Sequence, residues 1–469
     1  MKALFRFVLA LPLAAAASGC VYLNGLYNAQ QAYGDAERAR LAGQDSLAQV
    51  GYARAAAGAE RSYQRDPEGD WADDALYLLG RARLRREDWD GARDALERAR
   101  DGATNSDVRL ASTMYLGALA LSTGDSLGIG ALDFALVGLG RGAVRGEGHL
   151  WRARYLLARG RVSEGWADLE RARLEDPSLR VPAALEWLTS GVVDGDPLRA
   201  REGANALLRE SSAAERADTI VALAAREGDL RGPAAGARLL AGADSAAWTS
   251  IVRDRLILIR AKLHLVAGDS ASARRDGARV ADAGGERSIE ARLWLARIAL
   301  DGMDRADQLD QLRPLLLPAV EDPAVRALLE GARQIELLAE RGRQANPLGL
   351  FAAAEIARDV LAAPRLAEAL FVDYAAATPP QPWQGKALLA AAAVAADPER
   401  SALLRRAASA LPGDPYVAVT MGIAGDPQSY EILERALRDE LLVLLADVTA
   451  VVRPNEAMVS GDSLTELPR

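Results

Sequence analysis

The chain has 469 residues, a formal net charge of −8, one Cys and two His. The acidic balance leaves no basic stripe to release counterions from a polynucleotide, which sets nucleic acid aside as a partner. A lone Cys excludes a disulfide framework and Cys-based metal sites, and 50% hydrophobic residues against 5% aromatics is the composition of packed helices.

The chain opens with Lys2 and Arg6, then an apolar run from Phe7 to Ala17 that is too short to span a bilayer. It ends in Ala17-Ser18-Gly19-Cys20, which resembles a bacterial lipobox. The resemblance implies cleavage of residues 1–19 as a signal peptide and lipidation of Cys20, with enough acyl chains for firm anchoring. The other reading of the same run is a plain secretory signal cut near Ala15 to Ala17. Val21 after the Cys, by analogy with enteric sorting, points to the outer membrane, with the protein facing the periplasm. Residues 20–29 read as a linker. The roughly 450 residues left exceed what one compact core usually supports, so several domains or an elongated core is expected.

Gln30 to Arg65 reads as two helices with Ala-rich faces, stopped by Asp66-Pro67. From Asp73 the pattern sharpens: Leu79-Gly80, Trp89, Ala92, Leu96 and Ala99. Gly80 and Ala92 are small enough for two antiparallel helices to approach closely, while Trp89 and Leu96 fill the seam. Glu87-Asp88 is a polar turn that can cap the second helix. The pattern returns at Leu116-Gly117 with turn Gly124-Asp125, then Ala131, Ala135 and Leu136. It returns again at Ala153, Gly160, Val162, Gly165, Leu169, Ala172 and Pro177. Over residues 73–177 the chain resembles the tetratricopeptide-repeat (TPR) family. That resemblance implies an all-α fold, a right-handed helical-hairpin solenoid, with residues 30–178 as its TPR domain.

Residues 179–377 read as degenerate TPR-like repeats, with helices over Pro197–Arg209, Ala213–Arg226, Pro233–Ala241, Asp254–Val266, Ala271–Ala281 and Glu290–Ala299. Thr378-Pro379-Pro380-Gln381-Pro382 is a candidate stiff hinge. Residues 383–452 read as C-terminal helical repeats: Lys386–Ala396, Pro398–Leu411 with closing turn Pro412-Gly413-Asp414-Pro415, and Tyr430–Val451. Tyr416 to Ile423 is the one strand-like run, and 453–469 is a polar tail expected to be disordered. Gly-Asp and Asp-Pro pairs punctuate the chain at roughly 30- to 40-residue steps, as helix stops do. About twenty helices are expected, each pair burying its apolar face on the next.

Motifs for chemistry are sparse. His149 and His264 sit in helical patterns without a His-Glu-x-x-His spacing, and no Gly-x-Ser-x-Gly elbow occurs. Gly138-Leu139-Gly140-Arg141-Gly142-Ala143 fits a dinucleotide-binding string but follows a helical segment, so it reads as a loop. Acid pairs such as Asp73-Asp74 read as helix caps, and Arg85-Arg86 and Arg405-Arg406 as solvated faces. No catalytic centre, metal or cofactor is expected. The TPR register implies a concave groove lined by Asp74, Tyr77, Arg81, Arg85, Met114 and Arg154, in which Arg forks could take an acidic peptide or a C-terminal carboxylate. The expected function is a membrane-anchored scaffold or adaptor that binds a protein or peptide in the bacterial cell envelope. In layout it resembles the repeat lipoprotein of the β-barrel assembly machinery, which suggests outer-membrane assembly. The alternatives are a regulator of peptidoglycan synthesis and a lytic transglycosylase with a helical superhelix.

Overall fold

A computed structural model describes residues 25–422 and 427–452. Cys20, the signal segment, residues 20–24 of the expected linker and the 453–469 tail lie outside the described residues. All regular elements among the described residues are helical, and these residues fall into two compact units divided between Ala273 and Arg274.

The first unit is a succession of hairpins. These are α1 (25–41) with α2 (Asp45–Arg65), α3 (Ala72–Arg85) with α4 (Trp89–Gly102), and α5 (Ser106–Ser122) with α6 (Gly128–Gly138). Then come α7 (Ala143–Ala158) with α8 (Val162–Glu175), α9 (Arg180–Asp194) with α10 (Pro197–Arg209), α11 (Ala217–Arg231) with α12 (Pro233–Leu239), and α13 (Ser250–Val266). The chain is already helical at residue 25, the first described residue, inside the expected linker. Helix α4 shows why these segments are helical: Ala92, Ala95, Leu96 and Ala99 are buried at a step of three or four, and Arg, Asp and Glu fill the other face. The side chain of Asp88 caps it, accepting from Gly91 N at 3.2 Å.

Close approach is set by small residues. A Cβ on Gly80 would lie 2.5 Å from Leu96 Cγ, one on Gly117 2.7 Å from the Gly128 carbonyl, and one on Gly165 2.7 Å from Leu157 Cγ. Leu79, Ala92, Leu96, Ala99, Leu169 and Ala172 are buried as the repeat pattern requires, and Trp89 packs half-buried beside Leu84 and Leu96. Pro177 opens a 3-10 turn between α8 and α9. Consecutive hairpins stack: α3 on α5, α5 on α7, α7 on α9, and α11 on α13. Arg216, in the 3-10 turn before α11, donates to the carbonyl of Arg40, 176 residues earlier, so the array returns to its own first turn. Residues 211–216 form that 3-10 turn rather than the start of the helix expected at Ala213, which begins at Ala217.

Helix α14 (Ser270–Asp282) crosses the boundary between the units. The second unit continues with α15 (Ser288–Leu300), α16 (Arg313–Leu316), α17 (Pro323–Gln344), α18 (Leu348–Asp359), α19 (Pro364–Ala375), α20 (Gln384–Val394), α21 (Glu399–Ala410), α22 (Pro415–Thr420) and α23 (Pro427–Val452). Its core centres on Phe351, whose ring meets Phe371 at 5.2 Å and Tyr374 at 5.3 Å, edge to face. Helix α23 does not extend the hairpin series: it packs back on α17, α18 and α22. The Thr378–Pro382 segment runs within this unit, and the division between units falls at Ala273 instead. The strand-like run at Tyr416 is helical. Asp414 accepts from Tyr416 N and Val417 N, and Pro415 occupies the first turn, so the cap overrides the β-propensity of Tyr and Val.

Candidate functional site

Tyr77, Arg81 and Arg85 recur every four residues along α3 and so share one face. On α1, Tyr33 and Glu37 do the same. The structure brings these faces together with Tyr115 of α5 and Glu147 of α7. Arg85 Nε donates to Glu37 Oε1 at 2.7 Å, and its other branch donates to Glu147. Arg40 also donates to Glu37, at 2.7 Å, as does the Tyr52 hydroxyl at 2.7 Å. The Tyr115 hydroxyl donates to Glu147. Burial alone would raise the Glu37 carboxyl, but Arg85 and Arg40 more than offset it and hold it well below the usual carboxylate range. Burial pushes the phenols of Tyr33, Tyr77 and Tyr115 up, so all three stay protonated.

Arg81 differs from Arg85. Its guanidinium lies 4.4 Å from the Tyr33 ring centroid, 5.3 Å from Tyr77 and 5.2 Å from Tyr115. Among the described residues it forms no ion pair, and its Nε and the Tyr33 hydroxyl are buried without a hydrogen-bond partner. The cluster therefore holds three guanidiniums (Arg40, Arg81, Arg85) and two carboxylates (Glu37, Glu147). Arg81 makes no direct ion pair among the described residues; three ring faces surround it, and the Coulombic pull of Glu147, which Arg85 also binds, acts on it. A cavity of about 330 Å³ adjoins it through Tyr77, with Val108, Ala111 and Leu139 as apolar lining and Asp107 and Arg141 at its edge.

Two of the expected groove residues thus meet at a surplus charge, Tyr77 and Arg81, and the others take different places. Arg85 is no solvated or free fork: it is the buried tie between α1 and α7, while its neighbour Arg86 is exposed. Met114 is fully buried in the core between α5 and its neighbours, not in a groove. Arg154 is spoken for, with Nε 2.6 Å from Glu186 and the guanidinium 4.9 Å from the Trp151 ring. Asp74 is half-buried, and burial together with Asp73 raises its carboxyl. Tyr33, Glu37, Tyr115 and Glu147 complete the cluster, and no local pattern marked them.

A second polar cluster is structural. Asp168 occupies a core position of α8, where it accepts from His149 Nδ1 at 3.0 Å and from Arg152 at 2.5 and 2.7 Å. Burial would raise its carboxyl, but these bonds bring it down to about 2. The Gly138–Ala143 string has α6 before it and α7 after it, so no βαβ unit surrounds it. Among the described residues no group of three or more His, Cys, Asp or Glu is placed to hold a metal, and no helix is long and apolar enough to cross a membrane.

No protein-family model matches the sequence, and no curated protein does. One solved structure to which the chain is similar is a tetratricopeptide repeat protein from Parabacteroides merdae. It shares 15% identity over 55% of this chain and 96% of that chain, with a TM-score of 0.30. The all-helical assignment stands on the hairpins themselves.

Proposed function

We propose that this protein is a lipid-anchored helical scaffold of the bacterial envelope that binds a protein partner on the inner face of its first unit. The guanidinium of Arg81, whose counter-charge from Glu147 is shared with Arg85, carries this reading. A desolvated cation that shares its only partial counter-charge is costly, and a further carboxylate would lower that cost. The cavity that Tyr77 shares with Val108, Ala111 and Leu139 suits an apolar side chain of an extended segment that also carries a carboxylate toward Arg81. Tyrosine and arginine are also the residue types that anchor interfaces. The lipobox-like Ala17-Ser18-Gly19-Cys20 supports the anchor, and Val21 after the Cys favours the outer membrane, facing the periplasm.

The test has two arms. Cys20→Ala should move the chain from the membrane fraction to the soluble one. Affinity purification of the detergent-solubilised chain should retain a partner that Arg81→Met loses and Arg405→Met keeps. Retention of the same partners by Arg81→Met, or cleavage of purified sacculi by the chain alone, would contradict the scaffold reading.

A further inference from the structure

A second site lies on the first unit, independent of Arg81. Trp166 of α8 and Trp187 of α9 meet with ring centroids 4.4 Å apart at 42°. Trp187 is 8% exposed, and its indole N–H donates to Glu202 at 3.3 Å, which fixes the ring. Trp166 is 40% exposed and offers an indole face. The pair forms one wall of a cleft of about 640 Å³ whose other lining includes Ser163, Glu202, Asn205 and Arg209. A smaller recess of about 50 Å³, sharing Trp166, Trp187 and Glu202 with the cleft, is also lined by Glu170, Arg173, Arg180 and Glu210.

The polar groups decide the ligand. The cleft and the recess are lined by three guanidiniums, Arg173, Arg180 and Arg209, and three carboxylates, Glu170, Glu202 and Glu210, while Arg199 over the Trp187 ring is paired with Asp194 and Asp196. The balance is neutral, so neither a cation nor an anion gains net attraction. An ammonium group, otherwise suited to indoles, finds the Trp187 ring already taken by Arg199 at 5.3 Å. An aliphatic side chain would strip water from the Ser163 hydroxyl, the Asn205 amide and the Arg209 guanidinium without replacing it, and each such loss is costly. Those three side chains carry no hydrogen bond to the rest of the described protein. What fits is a neutral molecule with an apolar face and many hydroxyls. A pyranose ring has that form: its C–H face lies on an indole, while its hydroxyls donate to carboxylates and accept from amide and guanidinium groups. The cleft volume falls in the range of small-ligand sites, about 300–1,000 Å³.

We infer that the Trp166–Trp187 cleft binds a neutral pyranose oligosaccharide, with Trp166 as the stacking platform and Glu202, Asn205 and Arg209 as hydroxyl partners. The test is a titration of the purified chain, followed by tryptophan fluorescence and calorimetry, with the tetramers of N-acetylglucosamine, of α-1,4-glucose and of β-1,4-glucose. At least one should give a saturable response in the millimolar range or tighter, insensitive to added salt. Trp166→Ala should weaken it at least tenfold, Trp166→Phe less, and Asn205→Ala severalfold with the melting transition unchanged. Because Trp166 is partly exposed, its loss should leave the fold intact, and Asn205→Ala keeps the test valid if it does not. No saturable response to any of the three, equal binding by Trp166→Ala and wild type, or tighter binding of oligoglutamate or oligolysine than of the sugars would overturn the proposal. None of these outcomes bears on Arg81, whose variant should bind sugar as wild type does.

Discussion

Replacing Arg85 and Arg81 by Met, one at a time, should give opposite results, although the two lie one helical turn apart on the same face. Arg85 is hydrogen-bonded to carboxylates on two other helices, Glu37 and Glu147. Without it, Glu37 keeps Arg40 and Tyr52, and Glu147 keeps only Tyr115 among these contacts. Removing one partner of a buried ion pair costs about 3–5 kcal/mol. For a unit of this size about 1 kcal/mol moves Tm by ~2–4 °C, so Arg85→Met should lower the first unit's transition by at least ~6 °C. Arg81 has no ion pair to lose. Its contacts with three rings are worth up to about 2 kcal/mol each when desolvated, against a desolvation cost of several kcal/mol. Met would recover part of the ring contact through sulfur. Arg81→Met should therefore stay within ~1 kcal/mol of wild type. The assay is thermal and urea denaturation of the chain lacking residues 1–20. Equal losses for the two variants would refute the surplus-charge argument. A loss below ~0.5 kcal/mol for Arg85→Met, the range of an ordinary surface change, would refute the buried tie.

Three further outcomes are expected. A Cβ at Gly203 would lie 2.4 Å from Leu188 N and 2.6 Å from its Cα, so Gly203→Ala must force α9 and α10 apart. It should cost at least ~3 kcal/mol by urea midpoint, whereas Gly130→Ala in α6, where nothing lies within 4 Å, should gain ~0.5–1 kcal/mol. Glu87 holds a φ of 61° in the α3–α4 turn; Glu87→Gly relieves that left-handed conformation and should raise stability by up to ~1 kcal/mol in the same assay. Glu37 and Asp168 are both held below their ordinary pKa, Asp168 at about 2 against 3.8. Their stabilisation is complete above those ordinary values and is lost as pH falls through the folded ones. Urea midpoints should be flat from pH 7 to about 5 and fall from there toward pH 2. Asp168→Asn should lower the midpoint at pH 7 and flatten part of that fall.

Sequence made the hairpins legible where the information is local. In 73–102 the small residues, the seam residues and the Asp88 cap all lie within one helical pair, so the resemblance to the tetratricopeptide pattern singled out Leu79, Gly80, Ala92, Leu96 and Ala99 from local sequence. The same holds for Pro197–Arg209, whose Asp-Pro start and apolar step set both ends. Residues 301–322 were not legible, because 3-10 turns and short Pro-started pieces there carry no long period. The role of Arg85 was invisible for a different reason: its partners lie 48 and 62 residues away and are brought near only by stacking α1, α3 and α7. Met114 and Tyr115 are both fully buried in the core beside α5, and of the two only Tyr115 reaches the Arg81 guanidinium. The Trp166–Trp187 pair had a faint signal, two of only eight Trp in the chain placed on neighbouring helices, but nothing in the spacing marked them as partners.

The most direct measurement of partner docking is site-specific photocrosslinking in intact cells, with benzoylphenylalanine replacing Tyr77 beside the Arg81 cavity or Val137, 89% exposed on α6. A discrete protein adduct from position 77 that Arg81→Met abolishes, with none from position 137, is the result expected. Adducts from 137 alone, or an adduct at 77 that persists without Arg81, would contradict binding on the inner face.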